Sequence, residues 1–252
     1  MNTVVKYLSS AFCAALVLCG CASMPEEELS PADITLAELE EKMSQATDPE
    51  GRYAQAKSFV MKQEVETKRF LDQPLIQMVE TKFMRPEFFK ITTYEDNQPV
   101  ISIISNGESS WIVDYNSQRV RTLDAEQLRQ VKRFSDVTKP GSRLSAIFKN
   151  IRIEKCRIGD EEYYKVECPG EKGTMLNVYV DADTFQTSRI SVADSNGEVT
   201  YDSSLKGYGL YEGVRIPEET SVRTGGVEKT SRVIYCKLNQ VIDPAEFRPR
   251  PF

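Results

Sequence analysis

A chain of 252 residues without a single histidine cannot use Ser-His-Asp or Cys-His catalysis, nor any His-ligated metal site. Its 38 acidic and 32 basic residues leave a net charge of −6 with no basic block, which argues against nucleic acid as a partner. Of its six cysteines, the four from Cys21 onward, at 21, 156, 168 and 236, include no closely spaced ligand set for zinc.

The first predicted element is a targeting segment. Lys6 is the one charge in the first twenty positions, and "YLSSAFCAALVLCG" after it is apolar or small throughout. This is the n-region, h-region and small-residue end of a secretory signal, too short for the roughly 20 apolar residues of a spanning helix. Leu18-Cys19-Gly20-Cys21 resembles the bacterial lipobox, although Cys19 stands where a small residue or Val is usual. The resemblance implies cleavage before Cys21 and diacylation of its thiol, with Cys13 and Cys19 discarded. An ordinary signal peptide ending near a cysteine is the competing reading. Ala22, which is not Asp, favours the outer membrane over the inner one. Anchoring would then rest on acyl chains, at about 0.8 kcal/mol per buried CH₂.

Residues 1–20 are thus expected to be a lipoprotein signal peptide and 21–33 an acidic tether, because "ASMPEEELSPAD" is polar and broken by Pro25 and Pro31. The two prolines argue against an ordered first strand here. Residues 34–252 carry no Pro/Gly/Ser linker and read as one domain. "TLAELEEKMSQA" places Leu36, Leu39, Met43 and Ala46 at helical spacing, with Asp33 or Thr35 as N-cap. "DPEG" at 48–51 ends that helix, and "RYAQAKSF" is a second short helix or the lead into a strand.

From Ser58 the period changes to two. "SFVMKQEVETKRF", "PLIQMVETKFMRP", "FFKITTYED", "PVISIIS", "SSWIVDY" and "QRVRTL" are strand-like, with turns at Asp96-Asn97, Asn106-Gly107 and Asn116-Ser117. "DAEQLRQVKRFSD" at 124–136 is an interior helix with Leu128, Val131 and Phe134 as its apolar stripe, and "RLSAIFKNI" is a candidate short helix. A second strand series runs from "IRIEKCRI" to "EKTSRVIYCKL", with turns at Gly159-Asp160, Asn196-Gly197, Glu212-Gly213 and Gly225-Gly226. The pattern predicts an α+β fold, a large curved antiparallel sheet with a few helices packed on one face.

"RPEFFK" (Arg85–Lys90) followed by "SNGESSWIVDY" (Ser105–Tyr115), and "GVRIPEETSVRTG" followed by "NQVIDPAEF", resemble the motifs of the periplasmic lipoprotein-carrier and outer-membrane lipoprotein-sorting family, which is LolA/LolB-like. The likeness spans roughly residues 36–248. Asn106 replaces the family's usual Asp before Gly. The N-terminus reads as lipidated, as in the receptor branch and unlike the soluble carriers. The resemblance implies an unclosed β-barrel whose helices cover an apolar cavity, and lipid or lipoprotein acyl chains as the ligand. Phe88, Ile101, Ile103, Trp111 and Val113 are then the cavity candidates; taken singly, each reads by default as ordinary core.

Nothing else in the sequence points to catalysis, a cofactor or a metal. Ser203-Ser204-Leu205-Lys206 has a Ser-x-x-Lys spacing, but in strand-and-turn sequence without the companion motifs of penicillin-binding enzymes. Asp160-Glu161-Glu162 reads as a solvated hairpin turn. If Cys21 carries lipid, three thiols remain, at 156, 168 and 236. A hairpin turning at 159–161 places Cys156 near Tyr164 or Lys165. Any disulfide is then expected to be Cys168–Cys236, with buried thiols as the alternative. Two functions stay open. One is a monomeric, non-catalytic lipoprotein, anchored to the outer membrane by its N-terminal lipid and facing the periplasm, that binds acyl chains in lipoprotein sorting or lipid transfer. The other is a regulatory or scaffolding envelope lipoprotein on the same fold.

Overall fold

The computed structural model describes residues 27–69, 73–124, 127–128 and 136–250. The expected signal peptide, Cys21, and Val131 and Phe134 of the interior helix lie outside the described residues. In chain order the elements are β1 (Glu28–Pro31), α1 (Leu36–Thr47), α2 (Arg52–Gln55), β2 (Ser58–Arg69), β3 (Leu75–Met84), β4 (Phe88–Glu95), β5 (Gln98–Asn106), β6 (Ser110–Asp114) and β7 (Arg119–Thr122). There follow β8 (Arg152–Ile158), β9 (Glu161–Pro169), β10 (Met175–Asp181), β11 (Thr187–Ala193), β12 (Val199–Tyr211), β13 (Val214–Thr224) and β14 (Val227–Leu238). A 3₁₀ turn at Leu144–Ala146 takes the place of the short helix expected in "RLSAIFKNI", and another at Pro244–Phe247 follows β14.

The chain divides into two compact units. The helix unit contains residues 27–54 and 136–228, and its strands run β1-β8-β9-β10-β11-β12-β13. The tryptophan unit contains residues 55–124, 127–128 and 229–250, with strands in the order β14-β2-β3-β4-β5-β6-β7. Every strand pair described within a unit is antiparallel, and neither unit's strands close on themselves. The hairpins turn where the sequence supplies left-handed residues. Asp96 and Asn97 have φ of 48° and 63°, and Glu212 and Gly213 have 49° and 88°, the pairs of positive values that a two-residue type I′ turn demands.

α1 begins with a capping box. The Thr35 hydroxyl accepts from the Glu38 N–H at 3.3 Å, and the Glu38 carboxylate accepts from the Thr35 N–H at 2.9 Å. α1 buries Leu39 completely in a cluster with Val166, Val178, Val180 and Ile190 of β9–β11. Glu40, also buried, accepts from the Ser145 N–H at 2.7 Å and its hydroxyl at 2.8 Å, tying the helix to the 3₁₀ turn. Of the interior helix expected at 124–136, only residues 124, 127–128 and 136 are described. The Asp124 carboxylate accepts from the Gln127 N–H at 2.8 Å, and residues 127–128 and 136–138 are helical.

Three expectations need correction. The tether segment contains a strand: Leu29 pairs with Cys156 and Pro31 with Glu154 on β8. β1 is an edge strand, where Pro31 costs no central ladder bond. Its entry is pinned by Glu27, whose carboxylate accepts from Lys165 Nζ at 2.8 Å and Tyr179 Oη at 2.7 Å. The β8–β9 hairpin turns one residue tighter than expected, with Ile158 opposite Glu161, so Cys156 faces Tyr163. Cys168 and Cys236 are buried thiols and not the two halves of a disulfide. Strand alternation correctly buries both, but alternation carries no information on which distant strand lies opposite. Cys168 packs in the core of the helix unit, and Cys236 belongs to the tryptophan unit.

Candidate functional site

The tryptophan unit contains a cavity of about 450 Å³ lined by Lys90, Ile104, Val113, Tyr115, Asp243, Glu246, Arg248 and Arg250. That is the size of a small-ligand site. The first four side chains share one face of the sheet, because Lys90 pairs with Ile104 across β4–β5 and Ser102 pairs with Val113 across β5–β6. Behind them lies an apolar cluster of Val60, Ile104, Val113, Ile242 and Phe247, with Phe88 and Trp111 packed against it. The Phe88 and Phe247 rings meet at 5.5 Å with a 59° tilt. A polar seam continues the same face, with Thr92 and Ser102 hydroxyls 2.8 Å apart and Ser102 3.2 Å from the Tyr115 hydroxyl.

The opposite wall is the chain after β14. Asp243 accepts from the Ala245 N–H at 2.9 Å and Pro244 supplies a pre-set φ, so the 3₁₀ turn starts there and drives Phe247 into the core. Asn239 and Gln240 bind this segment to the start of β2. The Asn239 side-chain carbonyl accepts from the Lys57 N–H at 2.8 Å, and the Gln240 backbone carbonyl from the Ser58 hydroxyl at 2.6 Å. Glu246 accepts from Lys82 Nζ at 2.7 Å, and Glu80 lies 3.4 Å from the same ammonium. Burial opposes the charge on Lys82, but these two carboxylates outweigh it and raise its pKa. Lys90 is different. Burial lowers its pKa, and the charges of Lys82 and Arg250 push the same way against a partial offset from Glu246.

The five expected cavity residues divide between the two faces of this sheet. Val113 lines the cavity, and Phe88 and Trp111 lie on its face in the cluster behind it. Ile101 and Ile103 point the other way and pack with Ile112 and Leu123. Ile104, Lys90, Tyr115 and the two arginines were not among the expected residues. The available signal was Lys90 itself, a cation between Phe88 and Thr92 on the inward face of a strand, where alternation calls for an apolar residue. The family-like motifs contribute Lys90, Val113, Tyr115, Asp243 and Glu246 to the lining, and other residues of theirs make structural bonds. Arg85 Nε donates to the Ala56 carbonyl at 2.7 Å. The Asn106 side-chain carbonyl accepts from the Glu108 and Ser109 N–H groups at 3.1 and 2.8 Å, bonds an Asp would make equally well.

The helix unit has no comparable space at its lining of Met43, Phe185, Ile190, Leu205 and Tyr208, where the cavity is about 50 Å³. At that lining, which includes Met43 of α1, the space is too small for an acyl chain.

No protein-family model matches the chain, and no curated protein matches its sequence. Solved structures do match its fold. A LolA superfamily protein from Nitrosomonas europaea superposes with a TM-score of 0.60 at 13% identity, covering 86% of this chain and 98% of that one. A DUF1329 family protein from Desulfovibrio piger gives 0.63 at 10% identity, covering 84% and 95%. A domain described as an outer membrane lipoprotein-sorting protein from Vibrio parahaemolyticus gives 0.55 at 11% identity, covering 82% and 97%. With strand order, motif order and these superpositions in agreement, the chain has a LolA/LolB-like fold.

Proposed function

We propose that this protein is a non-catalytic envelope lipoprotein that binds lipid or lipoprotein acyl chains, in lipoprotein sorting or lipid transfer. The observation that carries the reading is the 450 Å³ cavity on the LolA/LolB-like sheet, with Ile104 and Val113 as its floor. An acyl chain offers no hydrogen bonds, so it needs a concave wall and no reactive group. Transfer would be passive, its direction set by the relative affinities of donor and acceptor. The lipobox-like Leu18–Cys21 supports an anchor at Cys21 in the outer membrane, with the described residues facing the periplasm.

The test is binding of a fluorescent fatty acid, 11-(dansylamino)undecanoic acid, to the purified protein. Saturable binding displaced by palmitate is expected. Val113→Thr, which keeps shape but adds a hydroxyl to the cavity floor, is expected to weaken it several-fold. The same change at Val178 in the helix unit should cost stability and leave the affinity intact. Wild-type protein that binds no probe would overturn the proposal.

A further inference from the structure

The polar half of the cavity has its own logic. Five of its eight lining residues are charged: Lys90, Arg248 and Arg250 against Asp243 and Glu246. Both carboxylates are already engaged, Asp243 in capping the 3₁₀ turn and Glu246 in the ion pair with Lys82. Neither carboxylate is bonded to Lys90, and Glu246 offsets the cost of its charge only in part. Among the described residues no hydrogen-bond acceptor or carboxylate is paired with half-buried Lys90, whose aliphatic stem lies beside Ile104 in the register. A half-buried ammonium without a partner is costly to keep charged, and an incoming anion would relieve that cost. Its neighbours in the cavity, Ile104 and Val113, are buried aliphatic side chains. The cavity size also bears on the ligand. At about 450 Å³ it is within the range of a site for one small ligand.

We infer that the cavity takes a single-chain amphiphile with an anionic head, its carboxylate or phosphate meeting Lys90 with Arg248 and Arg250 at the rim, and its chain lying on Ile104, Val113 and Tyr115. This rests on the acyl-chain reading above and specifies the ligand class for the same site. Lys90 is the group that selects the head. A charge-assisted hydrogen bond in a half-buried site distinguishes an acid from its ester by about tenfold or more.

The experiment compares 11-(dansylamino)undecanoic acid with its methyl ester, on wild-type protein and on Lys90→Met, which keeps an apolar stem of similar length. The acid is expected to bind wild type about tenfold or more tightly than the ester, and Lys90→Met to erase the difference by weakening the acid alone. Arg250→Gln tests the rim in a residue whose side chain is exposed, so its folding is not at issue; a smaller loss, confined to the acid, is expected. Equal binding of acid and ester by wild type would overturn the inference while leaving the acyl-chain reading intact. Failure of both probes to bind would overturn the reading beneath it. Inorganic phosphate at millimolar concentration is expected not to displace the acid. Full displacement by phosphate would mark a simple anion site and also overturn the inference.

Discussion

The helix unit and the tryptophan unit use the same device, a run of antiparallel hairpins turned by left-handed residues, and end with different interiors. In the helix unit the inward residues Val166, Cys168, Val178, Val180 and Ile190 are apolar, with the hydroxyls of Tyr164 and Ser203 on the same face, and α1 closes over them with Leu39. In the tryptophan unit the inward series of β4 reads Phe88, Lys90, Thr92, and an irregular C-terminal segment stands in for a helix. A row of apolar side chains beneath an amphipathic helix packs out its own volume. A row interrupted by a cation cannot be packed out by apolar groups, because the charge must keep access to water or to an anion. The difference teaches that within one architecture a charged inward residue accompanies open space, whereas buried hydroxyls accompany a packed cluster.

The sharpest way to break this comparison is to cut both interiors. Leu39→Ala should cost about 2–5 kcal/mol, the range for a large-to-small change in a packed core. Val113→Ala, beside existing space, should cost about 1 kcal/mol. Urea unfolding of the two variants measures the contrast, and equal losses would remove it. The next effect tests the C-terminal wall. Asp243→Ala removes the cap of the 3₁₀ turn and is expected to cost about 1 kcal/mol while weakening the dansyl probe, because the segment carrying Glu246, Arg248 and Arg250 loses its starting point. Unchanged probe affinity would show that the segment does not shape the cavity.

The edge of the helix unit sharpens the comparison differently, since its buried-side carboxylate, Glu27, is paired with Lys165 and Tyr179. Burial acts to raise the pKa of Glu27, but hydrogen bonds from Lys165 and Tyr179 outweigh it and hold the carboxyl below the ordinary value of 4.5. A depressed folded value means the contribution is fully present above about pH 4.5 and is lost as pH falls through the folded value. β1 should therefore loosen in acid before the core does, seen as faster amide exchange in β8 below pH 4.5. Glu27→Gln should give the same loosening at pH 7, at about 1 kcal/mol for a partly solvated pair. Simultaneous loss of β1 and of the core on acidification would contradict it. The smallest expected effect is Asn106→Asp, within about 0.5 kcal/mol, because the Asx turn accepts the same two N–H bonds. A large shift in melting temperature would mean that the amide N–H₂ has a role of its own.

Much of this molecule was legible in one dimension. The strands of both series, an N-cap at Asp33 or Thr35, the Asp96-Asn97 and Glu212-Gly213 turns and the apolar stripe of α1 follow from periodicity and turn chemistry, which are local properties; the structure selects Thr35. The motif order pointed to the LolA/LolB-like fold, and the superpositions agree. Alternation also buried Cys168, Cys236, Ile101 and Ile103 correctly. It could not say which face of the tryptophan unit's sheet holds the cavity, and so Ile101 and Ile103 were grouped with Val113 although they point to the opposite side. Nor could it place the C-terminal segment opposite Lys90, some 150 residues earlier in the chain, or bring Glu27 to Lys165 and make a strand of a proline-broken stretch. Local spacing determined which residues are inward. Only tertiary structure decided what each inward residue faces, because that depends on long-range pairing and on volume, neither of which has a signature in neighbouring residues.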